Sequence, residues 1–546
     1  MTRTWRYVAV AACLGLVAAS CGDDDGDDAA SDVTDAASSA ATAAGDAATD
    51  TTMAATDTTM AATDTTMAAT DTTMAMSDTT MAMSDTTMAT DTTMAMSDTT
   101  AGADTTAATD ETEGTTDGTD GAGDAAGGLS AAVGDSIDGT DIETDIGVDD
   151  TTIKVGMLAD LSGAFAALVQ EITEAQRVYW DHVNETGGIA GRQVELVIED
   201  NAYDVAVNVE KYQILREEVA IISEATGSPH TAAIAQDLVD DDIIAIPLTW
   251  YSGWADPEIG QNVFETYTSY CLESMNAITW LHENEDVQTV AIISFPGEYG
   301  GDGAAGAALA AEGLGLDVVY DGTGQVTPPS ADNPTPDQSA VVSQIVDAAP
   351  DLVWTTINPS SLTTIMSQAV GQGYEGLWSG NSPSYSFKLL GTELAPLLDE
   401  SYIASTYVVT WGTDVPGMQN IVDIMTEANP DLVVSDVYLL GWTEAMVTQA
   451  ILTKAAENGD MTRAGIVAAA NEVTVDFDEL APSQTWQGEP NDYIVRESFI
   501  YDVDLAEYNP VSLGEGGGST GWTLLEGPYV SPLAEEFVYE EPCYVG

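Results

Sequence analysis

Ile153-Lys154-Val155-Gly156-Met157-Leu158-Ala159, the turn Asp160-Leu161-Ser162-Gly163, and then, beyond Gly187-Gly188, Gln193-Val194-Glu195-Leu196-Val197-Ile198-Glu199 decide the fold of this chain. The two outer runs are short and rich in branched aliphatic residues, the composition of strands covered on both faces. Between them Leu168, Ile172, Ala175, Tyr179 and Val183 recur at helical spacing, and the stripe stops at the glycine pair. Strand, amphipathic helix, strand is the unit of a parallel sheet.

Further along, the same alternation predicts strands over residues 219–223, 243–247, 289–295, 316–320, 352–357 and 402–409, with helical periods between them. The expected class is α/β, doubly wound. In such sheets a ligand sits beyond the carboxyl ends of the strands, so the loops after those ends are the candidate site. One such loop, Ala225-Thr226-Gly227-Ser228-Pro229, leads into a helix expected to begin near Thr231, where hydroxyls and free N–H groups suit an anion. Another, Leu248-Thr249-Trp250-Tyr251-Ser252, sets two aromatic rings beside hydroxyls. Single Ser or Thr residues there also serve as helix caps, and the aromatic pair also serves as core.

Toward the N-terminus the composition changes. The chain has 546 residues, with 91 Asp and Glu against 11 Lys and Arg, a net charge of −80, and 44% hydrophobic residues. Residues 1–150 hold 30 of the acids and two of the bases, which leaves 61 against nine beyond them, a charge of −52. Nucleic acid and anionic surfaces are excluded as partners by this balance. Arg3 and Arg6, an apolar run from Tyr7 to Ala19 and small residues before Cys21 read as an export signal over 1–20, too short to span a bilayer. Ala18-Ala19-Ser20-Cys21 resembles a bacterial lipobox, which implies lipidation of Cys21 and an extracytoplasmic protein anchored to the cell membrane.

Residues 21–149 are expected to form a disordered tether. Asp50, Asp57, Asp64, Asp71, Asp78 and Asp85 recur every seven residues in Thr-Asp-Thr-Thr-Met-Ala-Ala units. This heptad fails as a coiled coil, because its only seam is Met and Ala among β-branched Thr, and no Lys or Arg pairs with its Asp. As a coil of about 107 residues the low-complexity part would span roughly 55 Å. The ten methionines from Met53 to Met96 could hold Cu(I) through thioether sulfur, but no His or Cys accompanies them. No metal or cofactor is expected.

The opening quoted above, extended through Ile189-Ala190-Gly191-Arg192 and Glu199-Asp200-Asn201, resembles the branched-chain amino-acid-binding family, the type 1 periplasmic-type solute-binding proteins of ABC importers. The resemblance runs through essentially the whole foldable part. It implies two lobes joined by three crossing segments, here 150–267 plus 406–500 and 268–405 plus 501–546, with the ligand in the cleft between them. Carried over residue by residue, it implies ligand contacts at Phe165, Thr226, Gly227, Ser228, Thr249, Trp250, Tyr251, Ser252, Tyr299 in Phe295-Pro296-Gly297-Glu298-Tyr299-Gly300, Asn358 and Asn381. The family's amino-acid binders carry an acidic residue where Asn381 stands, to pair with the ligand's ammonium group. Glu224 and Asp436 are the alternative acids. The expected function is capture of a small polar ligand (amino acid, amide or small carboxylate) by hinge closure and delivery to ABC permease subunits. A sensing or protein-binding ectodomain of the same fold is the alternative, and a monomer is expected.

Catalysis finds little support. Gly301-Asp302-Gly303-Ala304-Ala305-Gly306 has the form of a dinucleotide fingerprint, yet five residues separate it from Phe295, too many for the tight turn that motif needs. His182, His230 and His282 are the only histidines, of which His230 lies near the expected cleft. No nucleophile elbow or zinc motif is evident. With Cys13 in the export signal and Cys21 lipidated, Cys271 and Cys543 are left to pair as a disulfide in an oxidising compartment.

Overall fold

The computed structural model describes residues 141–546. The export signal, Cys21 and the methionine-bearing repeat lie outside the described residues, and so do the expectations placed on them.

The first lobe opens with β1 (Thr152–Ala159), α1 (Ala166–Glu185), β2 (Gln193–Asp200), α2 (Val205–Leu215), β3 (Ile221–Thr226), α3 (Ser228–Asp240) and β4 (Ala245–Leu248). Its four strands are parallel in the order β2-β1-β3-β4. Helix α1 buries Val169, Ile172, Ala175, Tyr179, Trp180 and Val183. The chain leaves the helix through Gly187 and Gly188, both at positive φ, which a side chain would resist.

The second lobe repeats the plan with α4 (Tyr270–Asn284), β5 (Thr289–Ser294), α5 (Gly297–Leu314), β6 (Asp317–Gly322), α6 (Ser339–Ala348), β7 (Leu352–Thr356), α7 (Pro359–Gly371) and β8 (Leu377–Gly380). Its strands run parallel in the order β6-β5-β7-β8. A parallel bridge from Trp378 to Tyr402 sets β9 (Ile403–Thr406) beside β8. From β9 the chain returns to the first lobe as α8 (Pro416–Ala428) and α9 (Tyr438–Asn458). Helix α9 packs on α1 so tightly that a Cβ on Gly441 would lie 2.1 Å from the Ile172 carbonyl. The hairpin of β10 (Ser498–Asn509) and β11 (Ser519–Tyr529) then joins β9 in antiparallel pairing.

By the order of its elements the chain passes between the lobes three times, in the connections from β4 to α4, from β9 to α8 and from α9 to β10. Two of these segments are tied together by a Thr268–Val495 bridge and by the Trp486 indole N–H donating to the Glu265 carbonyl at 2.8 Å.

Several expectations need correction. Residues 143–148 belong to the fold, because Glu143–Thr144 pairs with Asp460–Met461 and Val148 is buried; the tether was expected to reach 149. The strand expected over 402–409 is confined to four residues, since the chain leaves the sheet to cross between lobes. The β10–β11 hairpin was not foreseen. It carries residues 498–500, expected in the first lobe, into the sheet that extends the second. Helix α3 starts three residues before Thr231, because Gly227, at φ +98°, makes the turn.

Cys271 of α4 and Cys543 are joined by a disulfide. The tail it holds covers the hinge side: Tyr251 Oη donates to the Tyr544 carbonyl at 2.6 Å, and a Cβ on Gly301 would lie 2.5 Å from the Tyr544 ring. A Cβ on Gly306 would meet the Cys271 carbonyl at 2.2 Å. The glycines of the apparent dinucleotide motif are therefore packing residues, which bring α5 against α4 and admit the tail.

Six acidic residues are buried within the lobes, Asp160, Glu224, Glu265, Glu273, Asp302 and Glu444. Glu224 accepts from Thr173 and Thr226 beside Glu444, which accepts from Gln176. Glu273 accepts from Asn381, Ser405 and the Ser382 N–H, and Asp302 from Ser252 and the Cys271 N–H. Burial pushes Glu224 up to about 8, Glu273 and Asp302 to about 7, and Glu444 well above the carboxylate range. The native state thus holds protons that the unfolded chain releases near pH 4, so the stability these groups supply is present in acid and lost as pH rises through 7 to 8. The thermal midpoint at constant ionic strength is expected to fall from pH 5 to pH 8; a midpoint rising steadily over that range would contradict this assignment.

Candidate functional site

Both sheets have a strand order that reverses beside the first strand of the lobe, so the loops after β1 and β3 face those after β5 and β7. Between them lies a cleft lined by side chains of both lobes, the kind of concave, largely apolar surface common to small-molecule sites.

Each wall is placed by its own element. After β1, Asp160 accepts the N–H of Gly163 at 2.5 Å and of Phe165 at 2.7 Å, a turn that aims Phe165 into the cleft. Phe165 meets Tyr203 at 4.8 Å and, across the cleft, Tyr299 at 6.0 Å between ring centroids. Tyr203 stands at φ +52°, just after β2. After β3, Gly227 and Ser228 open α3, whose first-turn N–H groups have no acceptor within the helix. Ser228 Oγ is hydrogen-bonded to Thr249 Oγ1, and the Tyr270 hydroxyl adjoins both side chains. Tyr299 is anchored by its hydroxyl, which donates to the Ile357 carbonyl at 2.7 Å, leaving its ring to the cavity.

Of the expected contacts, Phe165, Thr226, Gly227, Ser228, Trp250 and Tyr299 line the cavity. Thr249 stands one layer back, bonded to Ser228. Tyr251 turns to the C-terminal tail, and Ser252 bonds to Asp302 and accepts the Cys543 N–H at 2.9 Å, because the chain there has already begun its passage to the hinge. Asn358 caps α7, accepting the Ser361 N–H at 2.9 Å, and its amide reaches the first lobe to donate to the Ala164 carbonyl at 2.8 Å. Asn381 is buried away from the cavity. Its amide donates to Glu273 at 2.7 Å and to the Tyr270 carbonyl at 3.0 Å, and its oxygen accepts from Thr356 at 2.8 Å. A position read as a ligand contact is a core hydrogen-bond hub.

Among the alternatives, Glu224 does not line the cavity and His230 stacks behind Tyr203 at 4.4 Å. Asp436 does line it. Its carboxylate accepts from the Trp411 N–H at 2.7 Å, Thr520 Oγ1 at 2.7 Å and Trp522 Nε1 at 2.6 Å. Burial raises it to about 6.

The rest of the wall was not foreseen as site. Leu168 and Ile172 read as helix core, yet the first turns of α1 face the cleft; Val408, Val409, Leu440 and Trp522 gave no signal of their own. The lining is overwhelmingly aromatic and aliphatic, with hydroxyls and one carboxylate but no Lys or Arg. At the rim Lys388 Nζ bridges the lobes, 2.9 Å from Glu171 and 3.1 Å from the Ala167 carbonyl. Among the described residues no group of three or more His, Cys, Asp or Glu could hold a metal ion, and no helix is long and apolar enough to cross a membrane.

Residues 152–506 match the family described as "Periplasmic binding protein". Among curated proteins no match is found. Solved structures are similar over nearly their whole length. A fatty acid ABC transporter substrate-binding protein from Thermomonospora curvata shares 27% identity at TM-score 0.64, covering 72% of this chain and 97% of that one. A branched-chain amino acid ABC transporter protein from Thermus thermophilus with bound valine shares 17% at TM-score 0.59, covering 70% and 97%. A solute-binding protein of Rhodopseudomonas palustris in complex with 3,4-dihydroxybenzoic acid shares 16% at TM-score 0.55, covering 65% and 93%. With the two facing switch points, the interlobe cleft and this match over the folded part, the chain belongs to the periplasmic binding protein family and has the type I fold of ABC transporter substrate-binding proteins.

Proposed function

We propose that this protein is a lipid-anchored, extracytoplasmic receptor that captures an amphipathic carboxylate, a long apolar chain with one acidic head, and delivers it to an ABC importer. The observation that carries the reading is the lining: an interlobe cleft walled by aromatic and aliphatic side chains. Such a wall returns free energy by apolar burial, about 0.8 kcal/mol per CH₂ group, and offers little to a small polar solute. The apolarity of the wall departs from the expectation of a small polar ligand. The carboxylate part of that expectation remains.

The head belongs at α3. Ser228, Thr249 and Tyr270 gather hydroxyls at the positive end of that helix, a setting that favours an anion without a cationic side chain. An amino acid's ammonium group has no comparable partner. Asn381 is spent on Glu273, Glu224 is behind the wall, and Asp436 already accepts three hydrogen bonds. The fatty-acid substrate named for the Thermomonospora curvata protein supports the same class. Ligand held first by one lobe gains contacts to the other through Tyr299 and Tyr270, which shifts the population toward the closed form.

Delipidated protein is expected to be stabilised by decanoate to hexadecanoate, by about 2.7 kcal/mol at a hundred times the dissociation constant, and left unchanged by leucine or valine. Thermal unfolding measures this; stabilisation by the amino acids alone would overturn the reading. Ser228→Ala is expected to weaken fatty-acid binding about tenfold, the worth of one hydrogen bond to a charged group, with little change in the unliganded midpoint. Asn381→Asp sets a second carboxylate against Glu273, so we expect a loss of at least about 2 kcal/mol of stability and no gain of leucine binding by calorimetry.

A further inference from the structure

The cavity has two ends. At one, Phe165, Tyr299 and Tyr270 form a continuous set of ring contacts beside Ser228. From there α1 runs along the wall, and Ile172 lies about 10 Å beyond Phe165 at 1.5 Å per residue. The second end is fixed by the close approach of Gly441 to Ile172, which sets the start of α9, with Asp436 and Leu440, at that far position. Trp522 stands there, its ring 5.0 Å from Tyr385 and 5.4 Å from Tyr501.

Trp522 is aimed by a deliberate irregularity. It pairs with Val503 at a break in the β10–β11 register, and Gly521 beside it stands at φ +83°, a conformation that favours glycine. A break of this kind turns a strand and redirects a side chain. The indole N–H then donates to Asp436 at 2.6 Å, and Thr520 adds a second bond at 2.7 Å. Asp436 precedes α9 of the first lobe, whereas Trp522 is on the hairpin that extends the second. The end wall is therefore held by hydrogen bonds that span the two lobes.

We infer that Trp522, positioned by Asp436, is the end wall of the ligand chamber and sets the longest apolar chain the protein accepts. This rests on the reading of the ligand as an amphipathic carboxylate with its head at Ser228. A chain growing from that head gains burial with each methylene until its terminus meets the indole; further methylenes must buckle or push the wall aside.

The test is calorimetric titration of the full-length, delipidated protein with saturated fatty acids from octanoate to octadecanoate. In the wild type the dissociation constant is expected to fall about fourfold per added methylene, then to stop falling at one chain length. In Trp522→Ala that break point is expected at chains at least two carbons longer. Trp522→Phe, the milder change, is expected to move it the same way by less. Asp436→Asn weakens the hold on the indole and is expected to soften the break. An unmoved break point in both Trp522 variants, or a uniform loss across all lengths, overturns the end-wall assignment alone. Failure of the wild type to bind any of these acids overturns it together with the ligand class.

Discussion

The site depends on one constraint: two parallel sheets of the same strand order are held with the carboxyl ends of their central strands facing each other. Parallel strands end where backbone groups and loops are free to meet a ligand, so two such ends in opposition make a chamber whatever their side chains are. Side chains then decide its chemistry. Here the loop after β1 contributes Phe165, the turn after β3 contributes hydroxyls at a helix N-terminus, and the opposing lobe contributes Tyr270 and Tyr299. The interlobe bonds of Asn358 to Ala164 and of Lys388 to Glu171 fix how the two halves meet.

Charge is handled separately from this geometry. With nine basic residues against 61 acidic ones beyond residue 150, the cations of the folded part are few. Arg463 donates to the carbonyls of Val219 and Arg216, tying α9's neighbourhood to the first sheet, and Lys388 spans the cleft rim. Glu224, Glu273, Asp302 and Glu444 are instead buried beside hydroxyls and amides and hold their protons to higher pH. An acidic shell and neutral, protonated interior acids are thus compatible in one domain, at the cost of stability toward alkaline pH.

Much of the fold was legible because its signals are local. Continuous apolar runs bounded by Gly turns mark buried parallel strands, and β1, α1 and β2 stand where the period and the glycine pair put them. The site was legible only in part. Phe165, Gly227, Ser228 and Tyr299 sit at strand ends, where topology alone points to a ligand. Asn381 also sits at a strand end, but its side chain turns inward to Glu273, a partner more than a hundred residues away that no local pattern reveals. Trp522 is hidden for the complementary reason: it reaches the cavity through a break in hairpin register and an interlobe hydrogen bond. Leu168 and Ile172 satisfy the helical period equally well as core or as cavity wall.

The central claim is that binding buries a long apolar chain in this chamber. The heat-capacity change of binding measures that burial directly, since removal of apolar surface from water makes it negative. Titration of dodecanoate into delipidated protein at several temperatures is predicted to give a strongly negative heat-capacity change, while leucine gives no binding heat. Tight leucine binding, or dodecanoate binding with a heat-capacity change near zero, would contradict the account.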